Sequence, residues 1–404
     1  MRKSLRHMGG FTLLEVMIAS ALGVIVLGIG LVAGMQVQRR ALTEEQTMVA
    51  QVTGRAVKDL LTLDVQRAGI GMGNSPIQFS EGDQRYAIQS WTALDMTTAT
   101  PPFAADATFA LPPAGTPYSG MTSDVLQLYW GDPRTMVTME RCNAFAAPGR
   151  PTTTTSVKLG NILCTAPAPH TRLQPTSGQP TPALVANPTA GALACHFRVN
   201  NVRAGDAVIE ATPGRGTATT NSGPCTSDAG MFTNPGWNIM RTVSAAYRVN
   251  WRGGHPALEY LAPGAANWAV VSRDVERMTV RFAVIDLTQP AVAYRWFPDN
   301  AGRPAIDACT RTRADCAVNV VTPIETAPTT DNELRDLLRR RIREVEIELV
   351  IRTPRSDRTV VDPTKINVPD DDGFPQDGFR RRTYTLRVSP RNFVSAGLQP
   401  APGP

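Results

Sequence analysis

The sequence predicts an α+β chain in which one very long N-terminal helix leads into a C-terminal antiparallel β-sheet head. Three observations carry that expectation. Residues 11–35 form an apolar run with Glu15 as the only charged side chain. Residues 36–68 contain no proline and repeat apolar side chains at helical spacing. Beyond residue 120, short segments rich in β-branched and aromatic residues recur between turn-forming stretches, in a chain of 404 residues with 33 Pro and 32 Gly. At roughly 150 residues per domain the length allows two or three domains and a sizeable buried core.

The apolar run comes first. As a helix rising about 1.5 Å per residue it reaches about 37 Å, enough to cross a hydrocarbon core of about 30 Å with some tilt. Arg2, Lys3 and Arg6 precede it, which places the first ten residues in the cytoplasm and the remainder outside. The net charge of +6 falls to +3 without those three residues, so the body gives no electrostatic case for nucleic acid as a partner. An ordinary secretory signal has a shorter apolar region and a small-residue cleavage site, for which Ala19-Ser20-Ala21 is the available match. Glu15 argues against that simpler use, because an acid at membrane depth costs on the order of 3 kcal/mol and is kept where it has a partner. Gly23, Gly28, Gly30 and Gly34 punctuate the run. They permit either close approach of a second helix or local loosening of this one.

The second half of the helix, residues 36–69, reads as amphipathic, with Leu42, Val49, Val52, Ala56, Leu60 and Leu63 as its core-facing stripe and Gly69 as its stop. Together the two halves make a helix near 85 Å long. The head, residues 70–404, takes its strands from 124–130, 242–251, 276–285, 343–351 and 382–388. The clearest is 343–351, where Val345, Ile347, Leu349 and Ile351 share one face and glutamates the other. Residues 331–341 form a short connecting helix. Between about 146 and 191, proline, threonine, alanine and glycine dominate, which reads as an irregular insertion. Six cysteines, at 142, 164, 195, 225, 309 and 316, all lie in the part placed outside the cytoplasm, where disulfides are the default. Six cysteines allow 15 pairings. Cys309 with Cys316 is the best local pair, and 142 with 164 and 195 with 225 are neighbour pairings.

Catalytic chemistry finds no footing. His170, His196 and His255 stand in no catalytic signature, and no Gly-x-Ser-x-Gly, His-Glu-x-x-His or Gly-Lys phosphate loop occurs. The chain is expected not to be an enzyme and to need no cofactor. Asp370, Asp371, Asp372 and Asp377 invite a calcium reading, but the twelve-residue ligand pattern fails because Val368 and Phe379 fall where carboxylates are required. Arg339–Arg341 and Arg380–Arg382 are basic runs with acids nearby, read as solvated strand edges in preference to a DNA-binding patch.

Gly10-Phe11-Thr12-Leu13-Leu14-Glu15, with basic residues before it and the apolar run after it, resembles the class III signal of type IV prepilins and type II secretion pseudopilins. The resemblance implies that residues 1–10 are a leader, that a prepilin peptidase cuts between Gly10 and Phe11, and that Phe11 is then N-methylated. It implies that Glu15, fifth in the mature chain, pairs with the N-terminal amine of a neighbouring subunit. Residues 64–69 (DVQRAG), 274–282 (DVERMTVRF) and the closing 381–392 (RRTYTLRVSPRN) are similar to PilW-type minor pilins and extend the likeness into the head, leaving residues 75–240 outside it. The implied fold is type IV pilin-like. The implied function is a minor pilin in a tip or priming complex, supporting pilus assembly and twitching, with other minor pilins and the major pilin as partners. It implies a single pass in the inner membrane before incorporation into an extracellular pilus. The final strand running into Arg391-Asn392 is shared with J-type pseudopilins, which stay as an alternative. A secreted or anchored periplasmic enzyme or binding module is the more distant one.

Overall fold

A computed structural model describes residues 12–80, 82–100, 102–115, 117–142, 156–167, 170–187, 193–214, 225–226, 232, 236–286, 294–320, 325–357 and 361–393. One helix, Leu13–Arg67, runs for 55 residues. Its start is set by a capping box: the Glu15 N–H donates to Thr12 Oγ1, while the Thr12 N–H donates to Glu15 Oε2 at 2.9 Å. Its end is set by Gly69, whose φ of +78° only glycine adopts without strain. The Gly69 N–H donates to Tyr129 O at 3.0 Å, and Asn392 Nδ2 donates to Ala68 O at 3.1 Å. The helix terminus is thus tied to a central strand and to the chain's closing Arg-Asn pair.

A β-rich domain follows. Four antiparallel strands lie in the spatial order Arg295–Phe297, Val275–Val284, Ile342–Arg352 and Arg381–Val388. Val280, Ile347 and Leu386 are mutual cross-strand partners on the buried face, and Arg281, Glu346 and Arg387 make the adjacent row on the other. Arg281 and Arg387 both reach Glu346, at 3.0 and 2.7 Å, so the outer row is a ladder of ion pairs. The short helix Asp331–Arg340 leads into the third of these strands and buries Leu334, Leu337 and Leu338.

Twelve further strands among the described residues form a larger branched sheet around Asn238–Asn250. That strand pairs with Val125–Thr138 on one side, and with Thr181–Ala186 and then Ala257–Leu261 on the other. The principal core lies between the long helix and both sheets, with Val57, Leu61 and Val65 packed among residues such as Leu128, Tyr247, Val280 and Ile347. A second core gathers Val185, Phe197, Ile209, Phe232 and Trp237 within the larger sheet. Disulfides join Cys142 to Cys164, Cys195 to Cys225 and Cys309 to Cys316.

Two expectations need correcting. The helix stripe is displaced: Ala50, Gly54, Val57, Leu61 and Val65 are buried, whereas Leu42, Val49, Val52 and Leu63 are 44–61% exposed, Ala56 is exposed, and of the expected set Leu60 is half-buried against the core. The head-facing residues are small at the upper end because the sheet approaches closely, and a Cβ on Gly54 would lie 2.7 Å from the Tyr384 ring. The 146–191 segment is not irregular throughout. It carries strands Lys158–Leu159, Ile162–Cys164 and Thr181–Ala186, held by buried Val157, Leu163, Leu184 and Val185 and by the 142–164 disulfide. Residues 146–155, 168–169 and 188–191 lie outside the described residues.

Candidate functional site

The helix is the element with the most unused surface. From Leu13 to Met35 its large apolar side chains are 52–82% exposed, all round the helix, and it is long and apolar enough to cross a membrane. A helix apolar on every face needs a surrounding apolar phase or other helices. Among the described residues, and apart from the helix's own neighbouring backbone, no atom lies within 4 Å of where a Cβ would stand on Gly23, Gly28, Gly30 or Gly34, so packing against the head does not demand these glycines.

Gly10 and Phe11 lie outside the described residues. Glu15 stands at the first helical turn, its carboxylate accepting from the Thr12 N–H and from Thr12 Oγ1 at 3.0 Å. In the single chain the acid therefore completes its own helix cap, and any partner of Glu15 must compete with Thr12. Cys309 and Cys316 are fully buried in their disulfide, and the adjoining helix holds that loop through Arg335 Nε donating to Cys309 O at 2.9 Å.

The lower helix is locked to the head by a buried acid that the sequence reading passed over. Asp64 accepts from Tyr247 OH at 2.6 Å and lies 3.5 Å from Arg67; burial raises its pKa above the ordinary aspartate value. The signal for it was an acid inside the quoted 64–69 segment, falling on the buried face of the helix. Asn392 likewise sits in the closing segment and hydrogen-bonds Gln66 O as well as Ala68 O.

The head's remaining charged candidates are largely spent internally. Arg381 makes a double contact with Glu276 (2.6 and 3.1 Å) and another with Asp377 (2.8 and 2.7 Å), whose carboxylate also accepts from Tyr118 OH. Hydrogen bonds from Arg381 hold Asp377 below the ordinary aspartate range against its burial. Asp377 therefore does not converge with Asp370, whose carboxylate caps the N–H groups of Asp372 and Phe374. Arg341 is buried against Glu325, and Arg339 lies 3.5 Å from Asp336. His170 contacts Thr165 Oγ1 at 2.7 Å, His196 contacts Gly214 O at 2.9 Å and stacks on Phe79, and His255 is exposed.

Against this geometry, residues 5–31 match the family model described as the prokaryotic N-terminal methylation motif. No curated protein and no solved structure matches the chain. The motif spans the Gly10-Phe11 junction, Glu15 and most of the apolar run. It supports a type IV pilin-like protein, processed by a prepilin peptidase and assembled with pilin-class subunits.

Proposed function

We propose that this chain is a minor pilin of PilW type: anchored in the inner membrane by residues 11–35 with its head in the periplasm, cut after Gly10, methylated on Phe11, and carried into an extracellular type IV pilus at or near its tip. The observation that carries the reading is the methylation motif on a helix whose upper half makes no use of its own head. Its work is assembly and not catalysis. The apolar helix packs against its counterparts in neighbouring subunits, and once outside the membrane that packing keeps its apolar surface from water, at about 25 cal/mol per Å². Glu15 supplies register, leaving the Thr12 cap to meet the N-terminal amine of a neighbouring subunit. The head contacts other minor pilins.

A J-type pseudopilin of a type II secretion system shares the motif and the closing Arg-Asn segment. Deleting the gene in its host separates the two. Loss of surface pili and of twitching, restored by the intact gene, is the expected result. Lost exoprotein secretion with pili intact would transfer the chain to the secretion system.

A further inference from the structure

Among the described residues the last strand, Arg381–Val388, pairs on one side only, with Ile342–Arg352, through eight consecutive register pairs and no bulge. The other strands that pair on a single side among the described residues hold two to five residues: Asp83–Arg85, Ile88–Trp91, Lys158–Leu159, Ala269–Arg273 and Arg295–Phe297. The Ala269–Arg273 edge is also interrupted by a bulge. Proteins shorten or bulge such edges because an open row of N–H and C=O groups recruits another strand. This one is left long and regular.

Its ladder phase follows from two bonds. The Thr353 N–H donates to Arg380 O and the Arg352 N–H donates to Asp274 O. Residues 380, 382, 384, 386 and 388 therefore bond inward, and Thr383, Thr385 and Arg387 turn their backbone groups to the open side. Thr383, Thr385 and Arg387 are exposed on the face away from the long helix and Arg382 is exposed at the start of the strand, while Tyr384, Leu386 and Val388 pack on the helix-side core. From Arg380 to Val388 the chain carries four arginines and no acid. Arg381 is consumed by Glu276 and Asp377, and Arg387 by Glu346, while Arg380 and Arg382 have no carboxylate partner among the described residues.

We infer that the outer edge of Arg381–Val388 is a β-augmentation site for an extended, acidic segment of another protein chain. The open amides supply affinity without regard to sequence, and Arg380 and Arg382 select an acidic strand. A second copy of this edge would set arginines against arginines, which disfavours self-pairing. Duplex nucleic acid satisfies the charge and not the row of amides. The inference is independent of leader processing.

The test uses the full-length protein in detergent micelles and a fluorescent ten-residue peptide of alternating threonine and glutamate. Saturable binding is expected, weakened at least tenfold by N-methylation of alternate peptide amides. Arg382→Glu should weaken it by a similar factor. Thr385→Pro should abolish it with the thermal midpoint unchanged, because that proline gives up only an outward N–H. The methylated peptide keeps the test valid even where a protein variant folds poorly. Three results would overturn the inference: no saturable binding at millimolar peptide, equal binding of the methylated peptide, or displacement by a DNA duplex that binds at least as tightly.

Discussion

Asp124 shows how a single side chain can hold two layers together and leave a pH signature. Its Oδ2 accepts from the Val280 N–H at 2.7 Å, and its own N–H donates to Met278 O, so it bolts the larger sheet to the smaller one. Burial raises its pKa from 3.8 to about 6. A carboxyl whose folded pKa lies above its unfolded value binds more protons when folded, so its contribution is fully present below pH 3.8 and is lost as pH rises to about 6. Asp124→Asn should remove that slope. Urea midpoints at half-unit steps from pH 4 to 7 should show the variant gaining on the parent up to about pH 6 and level thereafter, by on the order of 3 kcal/mol. A constant difference across the range would show that Asp124 does not titrate there. At this scale the sequence was partly readable. Glu15 announced itself as an acid in an apolar run, but Asp124 and Asp64 are ordinary aspartates until the fold buries them, and no spacing rule marks that in advance.

At the scale of the element, the long helix divides its apolar residues between two surfaces. The stripe that meets the head is built from Ala50, Gly54, Val57, Leu61 and Val65, and the bulkier Leu42, Val49, Val52 and Leu63 point away. Spacing alone favoured the bulkier set, since helical periodicity fixes which residues share a face but not which face the head covers. Close approach of Tyr384 to Gly54 decides it. The division predicts a dissociation of effects. Leu61→Ala should destabilise the head by about 2–5 kcal/mol in denaturant melts, as a fully buried leucine does. Val52→Glu should shift the melt by no more than about 0.5 kcal/mol and yet reduce recovery of the chain in sheared filaments. Equal melting losses for both variants would mean that the exposed stripe also packs on the head.

For the whole molecule, a long N-terminal helix and a β-rich domain were legible because their signals are local: an uninterrupted apolar run, a proline-free helical repeat beyond it, and alternation in 343–351. The larger sheet was not, because much of it comes from short strands joined across long separations, such as Ile77 and Gln78 lying parallel to Ala194 and Cys195. Proline- and threonine-rich stretches hid the strands between 158 and 186, which hold their place through the second core and the 142–164 disulfide. The proposed place in a filament rests on neither sheet but on the first eleven residues and the helix they precede. It is tested most directly by the N-terminal mass of the protein recovered from membranes of its own host, or from cells supplied with a prepilin peptidase. A chain beginning at N-methylated Phe11 is the predicted result. A chain beginning near Leu22, released by cutting after Ala19-Ser20-Ala21, would contradict it.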